Sequence, residues 1–333
     1  MAADPRTPLG PAGPHWCTWV MGTGILAVAM ATLPVAVPGS TTAARGLWAL
    51  AVGLLAVVAV ACARRGRALL ADVALWPFVG AAPMALLTVA TGGVVLGTLP
   101  GPVAVALWVA GTLLGLLTTA AAPRLLRGDP QPVWLLPVVP PMVSAATGPV
   151  VVPGLRAEAL ALFALAVVVV AVVGSRVLLH LRRTGPLPTA AVPTLFVVLG
   201  PLGQGSTAAH QLDLGVVVAG VLALAAATWL AVAAVATLAA LRTGLDFSLA
   251  WWSFTFPLGT VVTATSGLAA ETGWAGFTVA ATVLLGALAL VWTVVAGGTL
   301  RAARWSSARW SRRDGVPSRD HLIAAGRWSR DRR

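Results

Sequence analysis

Residues Asp246–Gly267, reading DFSLAWWSFTFPLGTVVTATSG, decide how the whole chain is read. About 20 apolar residues at 1.5 Å rise cross the hydrocarbon core of a bilayer, so the stretch is long enough to span one. It carries Pro257 near its middle, with Phe254 and Phe256 before it and Gly259 after. On a 100° helical wheel, the face centred on Phe256 also holds Trp252, Ser253, Gly259, Thr260, Thr263 and Gly267. The other face holds Trp251, Phe254, Leu258, Val261 and Val262. Such a helix either lines a narrow path plugged by one ring, or is kinked and packs its small residues against a neighbour.

The rest of the chain sets the context. Hydrophobic residues make up 58% of the 333 and charged residues 10%, where a soluble domain carries about 25% charge. With a mean hydropathy of +0.90, the expectation is an all-α polytopic membrane protein. The net charge of +12 comes from arginine alone. The arginines lie in short loops and one tail, which points to membrane orientation and away from nucleic acid. No charged n-region leads into a short apolar core at the N-terminus, so no cleaved signal is expected. Cys17 and Cys62 form no metal-ligand spacing or disulfide framework and read as small apolar residues.

Hydrophobic runs bounded by Pro, Gly or Arg give ten spans: 16–35, 43–63, 69–92, 101–122, 132–152, 157–181, 188–210, 214–241, 246–268 and 273–298. Short loops make sequence neighbours antiparallel hairpins. Arg64, Arg65 and Arg67, Arg124 and Arg127, Arg182 and Arg183, and Arg242 follow the second, fourth, sixth and eighth spans. The alternate loops hold only Arg45 and Arg156, so both termini are expected to be cytoplasmic and the protein multi-pass in the cell membrane. The expected domains are a cytoplasmic segment 1–15, a transmembrane domain 16–298 and a basic tail 299–333. Trp305, Trp310 and Trp328 among its arginines would hold that tail at the membrane surface or leave it disordered.

Prolines separate the spans into two classes. They fall inside the odd ones, at Pro34, Pro77, Pro83, Pro137, Pro140, Pro141, Pro193, Pro201 and Pro257, and not inside the even ones. A proline removes a helical hydrogen bond, which a membrane tolerates where neighbours or a cavity satisfy the freed carbonyl. Odd helices should therefore lie inside, kinked at Pro77, Pro137, Pro201 and Pro257, with even helices facing lipid. An odd number of hairpins argues for five pairs around an axis. Small and hydroxyl-bearing faces recur in the seventh span (Pro193, Phe196, Gly200, Gly203, Thr207, His210) and the fifth (Trp134, Pro137, Pro141, Ser144, Gly148), which favours a central path.

Chemistry inside the membrane is sparse. There is no paired carboxylate, metal cluster, Walker loop or nucleophile with a base, so neither an enzyme nor a bound metal or cofactor is expected. Gly200–Gly205 lies within a span and follows no strand, which disfavours a phosphate cradle. Arg176 can snorkel to an interface. His15 and His210 sit at span boundaries, where each either titrates in a vestibule or is merely interfacial. A cation path would favour acidic rings, which are missing. An anion could be received by hydroxyls, helix N-termini and unpaired N–H groups near the prolines. Three readings follow: a passive small-anion pathway, a proton-coupled transporter using His15, Asp72 or His210, and a non-transporting membrane subunit.

Several motifs occur in order: Pro14-His15-Trp16, Val20-Met21-Gly22-Thr23-Gly24-Ile25, Leu33-Pro34, Val133–Pro140, Gly200–Gln204 and Trp251–Pro257. Over about Pro14–Gly298 the chain resembles the tellurite-resistance/dicarboxylate transporter family, within the voltage-dependent anion channel superfamily. That family includes fungal malate and sulfite transporters, the bacterial tellurite-resistance membrane protein and plant slow anion channels. The resemblance implies ten helices in five hairpins around a pore, often in a homotrimer. It implies that Phe256, the residue before the proline of the ninth helix, occludes the pore, and it adds Gly22 and Gly24 to the lining. The substrate it implies is a small inorganic anion, sulfite or a dicarboxylate such as malate.

Overall fold

The computed structural model describes residues 13–66 and 73–313. Arg67, Asp72 and Trp328 lie outside them, as do the side chains of Trp305 and Trp310. Among the described residues every regular element is helical, and there are ten α-helices. These are α1 (Cys17–Ala31), α2 (Ser40–Arg65), α3 (Ala81–Val95), α4 (Gly101–Leu125), α5 (Pro140–Val151), α6 (Arg156–Thr184), α7 (Leu199–Gln211), α8 (Val216–Arg242), α9 (Thr255–Thr272) and α10 (Ala275–Arg313). Residues Ala12–Val295 form one compact unit; Ala296–Arg333 with Met1–Pro11 form another, whose described part is the last stretch of α10.

Each odd helix is entered through a 3-10 segment: Pro14–Trp16, Val73–Gly80, Pro132–Leu135, Thr189–Val198 and Leu249–Phe254. Proline explains where the α-helices begin. Pro83, Pro201 and Pro257 are the third residues of α3, α7 and α9, and Pro140 and Pro141 open α5. There the missing N–H costs little, whereas deeper in a helix proline costs about 3 kcal/mol. The prolines expected to kink helices in mid-course thus stand at or before a junction. Pro77 lies inside its 3-10 segment, Pro137 precedes α5, and Pro201 and Pro257 are in first turns. The residues capping the five α-helices (Trp16, Gly80, Val139, Val198, Phe254) already have right-handed helical φ and ψ. The chain thus passes from each 3-10 segment into its α-helix without leaving the right-handed helical region.

The odd helices pack as a closed ring, α1 on α3, α3 on α5, α5 on α7, α7 on α9 and α9 on α1. Small residues set the spacing. A Cβ on Gly259 would sit 2.6 Å from Ile25 of α1, and a Cβ on Gly203 would overlap Thr260 of α9. Burial follows position: α9 buries fourteen of its 18 residues, while α8 buries four of 27. Those four, Ala219, Ala226, Ala233 and Ala240, recur every seventh residue. The same spacing holds for Ala44, Ala51 and Val58 of α2, for Ala159, Ala166 and Val173 of α6, and for Ala281, Leu288 and Val295 of α10. A seven-residue stripe is the narrow seam of a helix that touches its neighbours along one edge.

The other faces of the outer helices are apolar and exposed, as at Leu117, Val217 and Leu224. Six segments are long and apolar enough to cross a membrane: Ser40–Arg65, Leu75–Val95, Gly101–Arg124, Arg156–Thr184, Val216–Arg242 and Ala275–Arg304. The molecule is a polytopic helical membrane protein. Indole N–H groups tie outer to inner elements: Trp48 donates to Val89 O, Trp108 to Thr147 Oγ1, Trp229 to Leu195 O and Trp292 to Thr23 Oγ1, all at 2.9–3.0 Å. Each such bond contributes about 1 kcal/mol.

Candidate functional site

The starts of the five inner helices, with the residues that lead into them, meet at a constriction around a cavity of only ≈ 20 Å³. Its wall is Thr18 and Met21 from α1, Met84 from α3, Leu136 and Val139 before α5, Val197 and Gly200 at the start of α7, and Ser253, Phe256 and Pro257 at the start of α9. Phe256, Met21 and Met84 are all at most 2% exposed. At 10–15 Å³ per water the space admits about one. No titratable side chain is among these lining residues.

Beyond the constriction, towards the C-terminal ends of the inner helices, a wider cavity of ≈ 170 Å³ opens, again lined from all five. Ile25, Val28, Val143, Ala146 and Val150 make it partly apolar; Thr88, Thr91, Thr147, Gln204, Thr207, Thr263 and Ser266 give it a polar side. His210 stands in its wall with Nδ1 3.1 Å from Glu271 Oε2, both about 29% exposed, an ion pair when the imidazole is protonated. The two cavities therefore lie in series along the ring axis.

Residues singled out by sequence fall in three places. Phe256, Ser253 and Gly200 line the constriction, and Thr207, Thr263 and His210 line the wide cavity. Gly22, Gly24, Gly203, Gly259 and Thr260 stand where inner helices touch. A Cβ on Gly22 would overlap Thr255, one on Gly24 would lie 2.7 Å from Thr88, and Thr260 Oγ1 reaches the carbonyls of Pro257 and Leu199. The fifth-span face turns outward to α4: Thr112 Oγ1 donates to Ser144 Oγ at 2.9 Å, and Thr118 and Thr119 donate to Pro137 O at 3.1 Å. Pro141 is buried beside them in α5 and lines neither cavity. Phe196 lies edge-on to Phe254, 4.8 Å between centroids, in a groove between α8 and α10. His15 is in the 3-10 segment before α1, its ring 6.2 Å from Phe78, and is in neither cavity lining.

Met21 and Gln204 entered the sequence reading only as members of motifs, and Met84 and Ser266 were given no role. Gln204 carried a usable signal, a primary amide inside an apolar span; a methionine in such a span carries none.

The comparisons with known proteins agree with this architecture. Residues 12–300 match the family model described as SLAC1, voltage-dependent anion channel. A sulfite efflux pump, SSU1, of Arthroderma otae is 30% identical over 199 residues, covering 49% of this chain and 51% of the pump. The SSU1 pumps of Trichophyton rubrum and Arthroderma benhamiae are 28% identical over the same shares. The chain thus spans about half the length of the curated relatives it matches. With the family model covering nearly the whole helical unit, the chain belongs to the voltage-dependent anion channel family.

Proposed function

We propose that the protein moves small anions across the membrane through the axis of the inner ring, and that the Phe256 ring obstructs this path. One observation carries the reading: the entries of all five inner helices contribute to a narrow, charge-free constriction that abuts a wider polar cavity on the same axis. Electrostatics favours anions there. The inner helices run parallel, each with its N-terminus towards the face holding Arg64, Arg65, Arg124, Arg127, Arg182, Arg183 and Arg242. A helix N-terminus carries about half an elementary positive charge, so five side by side reinforce the arginines at that mouth. The antiparallel outer helices oppose this field from farther off the axis.

Sulfite is the favoured substrate, since the curated relatives are named as sulfite efflux pumps; malate and other dicarboxylates rest on the sequence resemblance alone. In the same reading the transmembrane domain sits in the cell membrane as a homo-oligomer, a trimer by that resemblance. In proteoliposomes, Phe256→Ala should raise sulfite and chloride flux at least about tenfold, because each ~1.4 kcal/mol removed from a barrier is tenfold in rate. Unchanged flux in a variant that elutes and melts like the parent would remove Phe256 from the gate.

A second reading, proton-coupled transport, draws on the His210–Glu271 pair at the cavity mouth. It requires uptake that follows an imposed pH gradient and collapses with a protonophore while the membrane potential is clamped. Flux driven by potential alone leaves the passive pathway standing.

A further inference from the structure

The wide cavity looks rich in hydroxyls, yet most of their hydrogens are already committed. Thr88 donates to Met84 O, Thr91 to Leu87 O, Thr147 to Val143 O, and Thr207 to Gly203 O, at 2.7–3.1 Å. Thr263 donates to Thr260 O and lies 3.1 Å from Thr207 Oγ1. With their hydroxyl hydrogens taken by backbone carbonyls, these threonines offer an occupant acceptor lone pairs and no free donor.

Two wall residues differ. Ser266 of α9 is 3% exposed and its Oγ is buried without any hydrogen-bond partner. Gln204 of the adjacent α7 is 4% exposed, and among the described residues no hydrogen bond reaches its side-chain amide. Leaving a buried hydroxyl such as that of Ser266 unsatisfied is costly, and the unbonded Gln204 amide shares its cavity wall, so a polar occupant of that cavity would satisfy both. Together they hold three uncommitted donor hydrogens, two on the amide and one on the hydroxyl.

We propose that Ser266 and Gln204 form a binding site for a small oxyanion, of which sulfite is the type, held by donors from two neighbouring inner helices. An oxyanion brings several acceptor oxygens to meet several donors, whereas a halide brings one centre. A cation would find no carboxylate among the residues lining this cavity. With about 10–15 Å³ needed per water, ≈ 170 Å³ also accommodates roughly 11–17 waters, so the ion can stay partly hydrated. The site rests on the transport reading for its purpose but not for its existence.

The test uses the purified full chain. Sodium sulfite and sodium chloride are titrated calorimetrically in detergent, and the flux of each is measured in proteoliposomes. Wild type should bind sulfite more tightly than chloride. Ser266→Ala and Gln204→Leu should each weaken sulfite binding about tenfold or more, the loss of one hydrogen bond to a charged group, and lower the sulfite-to-chloride flux ratio by a similar factor. Ser266→Thr, which keeps the hydroxyl, should bind sulfite within about threefold of wild type, far short of that loss. If Gln204→Leu fails to fold, the near-isosteric Gln204→Glu, which exchanges donors for acceptors, takes its place. Sulfite affinity unchanged in folded Ser266→Ala and Gln204 variants overturns the site. Absent anion flux in wild type, with sulfite binding still lost in these variants, overturns the transport reading and leaves the site intact.

Discussion

Gly200 and Gly203, one helical turn apart on α7, show how finely position separates a wall residue from a packing residue. A Cβ at Gly200 meets nothing within 4 Å and points towards the constriction, while one at Gly203 would overlap the side chain of Thr260 and lie 2.7 Å from its carbonyl carbon. Alanine gains about 1 kcal/mol over glycine from helix propensity alone, and overpacking costs about 1–3 kcal/mol. Gly200→Ala should therefore keep or raise the melting temperature in detergent, and Gly203→Ala should lower it; equal melting of the two would contradict the close approach of α7 and α9. A wheel on one helix could find Phe256 and Thr263, because both point to the axis. It could not sort Gly259 and Thr260 from them. These lie only 40–60° to either side on a 100° wheel, where a ring of helices puts its neighbours, α1 on one flank and α7 on the other. Small residues serve both purposes, and only the neighbours' positions tell them apart.

The 3-10 segments are the element-scale device that brings the five first turns to one level. In Leu249–Phe254 each residue turns the chain about 120° instead of 100°, so side chains before the junction do not continue the phase of α9. Pro257 maintains that break: lacking an N–H, it cannot donate to the carbonyl of Ser253 four residues earlier. Replacing it by alanine supplies the donor and lets α9 extend backwards, which rotates Ser253 and Phe254 and loosens the seat of Phe256. In the proposed pathway Pro257→Ala should raise basal anion flux while leaving the protein folded, with an effect smaller than that of Phe256→Ala. Parent-like flux in proteoliposomes would show that the junction does not hold the ring. The alternation of inner spans that carry prolines and outer spans without them was legible from sequence because proline must be sheltered from lipid; the exception is α4, which holds Pro102 and Pro123 near its two ends. The 3-10 character was not, since a proline marks a break without saying which helix precedes it. The seven-residue alanine stripes were present in the sequence but hidden among many alanines that face outward, as the burial of only Ala219, Ala226, Ala233 and Ala240 on α8 makes plain.

For the whole molecule, the arginines divide into two kinds. Arg45 and Arg156, on the sparsely charged face, are structural: Arg45 Nη2 donates to Leu96 O and Arg156 Nη2 to Leu212 O, at 3.3 and 2.7 Å. Leu96 and Leu212 cap the C-termini of α3 and α7, so each guanidinium meets carbonyls at the negative end of a helix. Their presence is explained by these caps and adds little to topology. Arg64, Arg65, Arg124, Arg127, Arg182, Arg183 and Arg242 gather at the other ends of the outer helices. That asymmetry is larger than a simple count of arginines suggests, and the orientation we propose from the positive-inside rule has this face in the cytoplasm. Exposed Asp129 lies beside Arg127 on this face, and exposed Glu158 beside Arg156 on the other. With Cys17 and Cys62 first replaced by alanine, a single cysteine at Glu158 should react with a membrane-impermeant maleimide added to intact cells. One at Asp129 should react only after the membrane is opened. The reverse pattern would invert the proposed orientation, and with it the mouth at which five helix N-termini and the arginine cluster meet an incoming anion.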